Sequence, residues 1–179
     1  MVAPRPIAFV STINKNGLPN AAPFCFFMGV TPVPLTVAFS IMRRGDQKKD
    51  TICNIETTRD FVINIVDEKL CQTMNMASGS YPSDMSEFDV TGLTPLQSEK
   101  ITSPRIAESL VQLECKLLLS LELGTVPTSL VIGEVVCVHI HESVYQNGLV
   151  DVKQLKPIGR VSENLYARFT DFFEMNRPA

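Results

Sequence analysis

The stretch Val111–Glu142, VQLECKLLLSLELGTVPTSLVIGEVVCVHIHE, decides the fold. It contains two long runs of aliphatic and β-branched residues, Val111 to Leu123 and Ser129 to Glu142, joined by a turn around Gly124 to Pro127. Side chains alternate between the two faces of a strand, so Val136, Val138 and Ile140 share one face while Cys137, His139 and His141 share the other. Long paired strands among isolated short helices predict a mainly β fold. The expected architecture is a closed or nearly closed antiparallel barrel with peripheral helices, rather than a doubly wound parallel sheet.

Upstream, residues 7–13 (IAFVSTI) read as a strand that leads into Asn16-Gly17, a step that favours a tight hairpin turn. A second strand is expected from Asn20. It runs through Pro23 and the phenylalanines 24, 26 and 27, and the proline restricts it to an edge, a strand start or a bulge. Residues 35–42 (LTVAFSIM) and 61–66 (FVINIV) complete the upstream strands. A short helix is expected to start between Gln47 and Thr51, and another to span Glu68 to Met76 with Leu70 and Met74 facing inward. From Ala77 to Pro104 the pattern dissolves into Gly, Ser, Pro and Asp, an excursion of the length that is often functional or interfacial. Residues 149–156 are expected to add a strand or turn, and Glu163 to Met175 a terminal helix.

The 179 residues, 45% of them hydrophobic, suit one domain over 1–179 with a substantial core. A net charge of -3 argues against a broad contact with nucleic acid, which needs cations along a surface. No segment approaches the roughly 18 uninterrupted apolar residues of a membrane span. The five cysteines are scattered, odd in number and without a C-x-x-C pair, so neither a disulfide framework nor a zinc site is suggested and a cytoplasmic setting is expected. The His139-x-His141 pair sits on one strand face, but no carboxylate or cysteine spacing completes a metal site. Dinucleotide-binding, nucleotide-hydrolase and esterase glycine motifs are missing from the sequence.

Against this acidic background, Arg43-Arg44-Gly45-Asp46-Gln47-Lys48-Lys49 concentrates four cations in seven residues. With Thr51 at the start of a helix, the segment offers positive charge and backbone N–H donors to a phosphate monoester. The competing reading is a solvated lysine-rich turn with Asp50 as the helix cap. Pro23-Phe24-Cys25-Phe26-Phe27 offers an apolar wall for a flat heteroaromatic ring, or is simply a core strand.

Taken together, Pro4-Arg5-Pro6, Gly17-x-Pro19-Asn20-x-Ala22-Pro23-Phe24, Phe39-Ser40, Arg43-Arg44 and Lys49-Asp50-Thr51-x-x-Asn54-Ile55 resemble the flavin reductase-like, FMN-binding split-barrel family. Glu87-Phe88, Gly92-Leu93-Thr94, Pro104-Arg105, Ile132-Gly133-Glu134 and Pro157-x-Gly159-Arg160 with Tyr166 continue the resemblance in the same order. It implies a six-stranded antiparallel split β-barrel and a homodimer with FMN near the interface. Carried over, Phe24, Cys25 and Phe26 lie along the isoalloxazine ring, and Ser40, Arg43, Lys49, Asp50 and Thr51 surround the phosphate. Asn20, Arg160 and Tyr166 belong to the same pocket. Cys25 stands where related sequences often carry Ser or Asn, which replaces a hydroxyl or amide with a weak S–H donor.

The implied activity is NAD(P)H-dependent reduction of flavin, with NADH or NADPH as reductant and a monooxygenase as a possible recipient of the electrons. FMN would carry the chemistry, which accounts for the lack of an acid–base triad. A non-enzymatic flavin-binding electron carrier or store is the alternative, and a barrel that has lost FMN a third.

Overall fold

The structure, a computed structural model, describes residues 2–178. Its main sheet has seven strands: β1 (Ala8–Ile13), β2 (Pro19–Phe24), β3 (Phe27–Pro32), β4 (Leu35–Met42), β5 (Asp60–Ile65), β6 (Val111–Leu123) and β7 (Thr128–Ile140). Their order across the sheet is β2-β1-β5-β6-β7-β4-β3, antiparallel throughout. The strands at the two edges, β2 and β3, are consecutive in the chain and joined only by Cys25 and Phe26. The seam of a split barrel therefore falls on the phenylalanine run.

The number of strands differs from the six expected, because residues 20–28 do not form one continuous strand. β2 ends at Phe24 and β3 begins at Phe27, with Phe26 O accepting from Ser40 N at 3.0 Å across the break. Pro23 lies on the edge strand, where its missing N–H leaves no ladder bond unmade.

Alternation explains the apolar run Ile7–Val10 that opens β1. Ala8 and Val10 enter the barrel core with Phe24, Phe39, Phe61, Ile63, Cys115 and Val131, whereas Ile7 and Phe9 face a second core under the short helices. Both faces of the strand are covered. Helix α1 (Asp50–Thr58) sends Ile52 and Ile55, one turn apart, into the barrel core. Helices α2 (Cys71–Ala77) and α3 (Glu87–Thr91) contribute Leu70, Met74, Ala77 and Phe88 to the second.

The long loop is ordered by buried side chains. Asp60 accepts from Thr102 N at 2.9 Å, Ser103 N at 3.2 Å and Ser103 Oγ at 2.6 Å, and Asn64 Oδ1 accepts from Ile106 N at 2.9 Å. Residues 149–156 give a two-residue strand (Leu149–Val150) and helix α4 (Val152–Leu155), capped by Asp151.

The expected helix from Glu163 to Met175 does not form. Tyr166–Arg168 is instead a strand that pairs with Ile158–Arg160, which in turn pairs with Arg5–Pro6. The turn that reverses the chain is closed by Val161 N donating to Leu165 O at 2.8 Å. Edge pairing available only in the folded chain outweighs a weak local helical pattern.

Candidate functional site

Two clefts meet at the barrel seam. The first, of about 320 Å3, lies between the start of α1, strand β2 and the 77–83 segment; Asn20, Arg44, Lys49, Asp50, Thr51 and Glu87 are among its walls. The second, of about 390 Å3, is formed by Phe24, Cys25, Phe26, Ser40, Arg5 and Arg160 with their neighbours. Pro23 and Lys49 line both, so the clefts adjoin each other.

At the first cleft, α1 begins without a side-chain cap. Lys49 is the N-cap residue, in extended conformation, and Asp50 is the first helical residue rather than the cap. Ile52 N and Cys53 N donate to Lys49 O at 3.1 and 3.3 Å, which leaves the Asp50 and Thr51 amides without an intrahelical partner at the positive helix end. The Lys49 ammonium lies 5.6 Å from the centre of the Phe24 ring and enters no ion pair among the described residues. Burial lowers its pKa, and the nearby Arg44 guanidinium lowers it further. A partly buried cation without a counter-ion among the described residues, beside an uncapped helix start, has the chemistry to take an anion.

The arginines divide differently from expectation. Arg43 turns away from both clefts, donating to Glu122 Oε2 at 3.0 Å and to Asp46 O at 3.1 Å. Arg44 lines the first cleft. Lys48 also borders it, but its ammonium bonds Glu56 at 2.8 Å and lies 3.7 Å from Glu122. The Asp50 carboxylate can only accept, so toward an anion the residue has just its backbone N–H to offer.

Thr51 and Asn20 belong to a connected polar network. Asn20 Oδ1 accepts from Thr51 Oγ1 at 3.0 Å and from Thr12 Oγ1 at 3.3 Å, while its Nδ2 donates to Glu87 Oε2 at 2.8 Å. Asn54 Nδ2 donates to Thr12 Oγ1 at 3.0 Å, and Ala21 N to Glu87 Oε2 at 3.2 Å. Burial pushes the Glu87 carboxyl above the usual carboxylate range; the bonds from Ala21 and Asn20 pull against it, and the Asp50 charge adds to the rise.

The second cleft is flatter and more apolar. Phe24 is buried against Phe39, with ring centres 5.5 Å apart, whereas Phe26 is half exposed beneath the Arg5 guanidinium at 5.5 Å. Arg5 Nε, like Arg43 Nε away from the clefts, is buried without a hydrogen-bond partner among the described residues. Ser40 lies in this cleft and not in the helix-end cleft where the resemblance put it. Arg160 stacks over Tyr166 at 4.6 Å and bonds its hydroxyl; Tyr166 itself stands behind Arg160, its hydroxyl 3.3 Å from Asn75 Oδ1.

The sequence-derived set thus separates by place. Asn20, Lys49, Asp50 and Thr51 gather at the helix-end cleft, Phe24, Cys25, Phe26, Ser40 and Arg160 at the flat one, and Arg43 and Tyr166 at neither. Missing from the set were Arg5, Arg44 and Glu87. All three fall within the motifs that carried the resemblance, but nothing in their spacing revealed a side-chain direction.

A family model described as "Flavin reductase like domain" matches residues 2–157. The chain belongs to the flavin reductase-like family. Among solved structures, this family member is similar to nitrilotriacetate monooxygenase component B from Bacillus cereus, at 34% identity and a TM-score of 0.94, covering 97% of this chain and 88% of that one. It is similar to 2-nitrobenzoate 2-nitroreductase of Pseudomonas fluorescens at 31% identity and TM-score 0.90, with 99% and 86% covered. A flavin reductase with split barrel domain from Shewanella frigidimarina shares the fold at 23% identity and TM-score 0.88, with 97% and 86% covered. The chain is thus a split-barrel protein of a flavin-linked oxidoreductase family.

Proposed function

We propose that this protein binds FMN across the two clefts and catalyses NAD(P)H-dependent flavin reduction in the cytoplasm. The observation that carries the reading is Lys49: a partly buried cation without a partner, at an uncapped helix start, joined to a flat aromatic cleft through Pro23. FMN joins a phosphate monoester to a flat heteroaromatic ring, so its two ends match the chemistry of the two clefts.

In this reading Lys49, Arg44 and the Asp50 and Thr51 amides hold the phosphate, while the Thr51 hydroxyl, whose proton goes to Asn20 Oδ1, can only accept, as from a ribityl hydroxyl. Phe24, Cys25 and Phe26 form the wall for the ring, and Arg160 with Ser40 bounds its open side. When bound there, FMN would supply two-electron chemistry between a reduced nicotinamide and free flavin or another acceptor. The chain's own task is to orient both rings and exclude water. Similarity to a monooxygenase component supports an oxygenase as the electron recipient.

The reading includes a homodimer. On the outer face of the barrel, Leu119, Ile132, Ala38 and Met28 form one cross-strand row, and Leu121, Leu130 and Ser40 the next. Met28 and Leu121 are 60% and 43% exposed, and the second row ends at Ser40 in the ring-side cleft. An apolar face that runs into a half-open cleft suits a second copy that covers both.

The test is the absorption spectrum of purified protein saturated with FMN, before and after anaerobic NADH or NADPH. Bleaching of the flavin band by either nucleotide, with steady turnover when free FMN is added, is the expected result. Tight FMN binding without bleaching by either nucleotide would replace the reductase by an electron carrier, and failure to bind FMN would remove the reading altogether.

A further inference from the structure

On the far end of the long hairpin, away from either cleft, β6 and β7 bring together three metal-ligating side chains that the sequence keeps apart. Cys137 and Glu114 are cross-strand partners, and His139, two residues on, lies on the same face as Cys137. His139 Nε2 is 2.6 Å from Glu114 Oε1 and 3.5 Å from Cys137 Sγ, and the three ligand atoms lie within 4.8 Å of one another. We propose that Cys137, His139 and Glu114 form a zinc-binding site.

The donor set of thiolate, imidazole and carboxylate suits Zn2+, which takes three such ligands with a solvent molecule in a fourth position. Bond lengths of about 2.0–2.3 Å in a tetrahedron put ligand atoms roughly 3.3–3.6 Å apart. The Cys137–His139 spacing already matches. The His139–Glu114 contact must open, as it does when a cation replaces the proton that joins the two groups. Binding therefore releases the thiol proton of Cys137 and leaves the imidazole bound through Nε2 with its proton on Nδ1.

The surroundings complete the arrangement. Glu114 is fully buried and accepts from the backbone N–H of Glu99 at 2.8 Å and of Lys100 at 2.7 Å, which fixes its carboxylate in place. Glu99 Oε1 lies 3.9 Å from His139 Nδ1, on the side from which an outer carboxylate steadies a metal-bound imidazole. His139 borders an open groove of about 430 Å3, and Cys137 is only partly buried, so the cluster lies near solvent. Arg105 Nε, 3.8 Å from Glu114 Oε1, and Lys100 oppose a cation, while Glu99, Glu114 and the Cys137 thiolate attract it. Strand pairing, and not a flexible loop, sets the ligand positions.

The test is site-resolved alkylation of the FMN-treated protein by iodoacetamide, with and without stoichiometric Zn2+, read by peptide mass spectrometry. Zn2+ is expected to slow alkylation of Cys137 at least about tenfold while leaving the exposed Cys53 unchanged. His139→Gln, whose amide can still donate to Glu114, is expected to abolish that protection. Unchanged Cys137 reactivity in the wild-type protein overturns the proposal without any variant, and so does protection that survives His139→Gln.

Discussion

Lys49 is where charge, burial and the want of a partner coincide, so it should separate FMN from riboflavin, which lacks the phosphate. Removing a charge-assisted contact costs about 1.5–3 kcal/mol, so Lys49→Ala should weaken FMN binding at least about tenfold and leave riboflavin nearly unaffected. Equal losses for both ligands in a fluorescence titration would contradict the phosphate assignment. Arg44→Ala should act in the same direction, whereas Arg43→Ala, which removes only the Glu122 and Asp46 contacts, should change FMN affinity little. Glu87 gives a pH-dependent prediction. Its folded pKa is raised, so the native state binds more protons than the unfolded chain between the ordinary carboxylate value and the raised one. Its contribution is then fully present below the ordinary value and is lost as pH rises through the raised one. Thermal unfolding of ligand-free protein across this range should show a downward slope in stability with pH that Glu87→Gln flattens; an unchanged slope would refute the role.

At the scale of elements, the long hairpin depends on close approach of β7 to the barrel core. Gly133 sits beside a register shift between β6 and β7, and a Cβ there would meet Phe61 Cζ at 2.5 Å and Lys116 O at 3.2 Å. Phe61 is fully buried and packs edge-on against Phe39 at 5.3 Å, so its ring has little room to move. Gly133→Ala should therefore destabilise the fold by about 1–3 kcal/mol in urea unfolding, despite adding only a methyl group. A loss below the error of that measurement would mean that the core yields more readily than its packing suggests. The same hairpin was the clearest part of the sequence, because strand length and alternation are local properties. The edge strand Tyr166–Arg168 was not, because its pairing with Ile158–Arg160 exists only once the chain has folded back.

At the scale of the whole molecule, the outer apolar rows of the barrel predict a specific defect. Leu121→Asp places a charge in the proposed interface and should shift a dimer to monomers in sedimentation velocity, with weaker FMN binding because one side of the ring-side cleft is uncovered. An unaltered sedimentation coefficient would exclude this face as the interface. By itself the sequence determined the mainly β architecture, the hairpin from Val111 to Ile140, the helix that begins after the lysines, and the membership suggested by ordered motifs. These follow from periodicity, turn chemistry and residue type, which are written along the chain. Only the tertiary structure decided that Arg44 rather than Arg43 lines the cleft, that Ser40 stands at the flat end, that Glu87 anchors Asn20, and that Glu114 joins Cys137 and His139. Neighbours across strands depend on how segments distant in sequence pair and on where the chain closes on itself, which alternation within one strand does not encode.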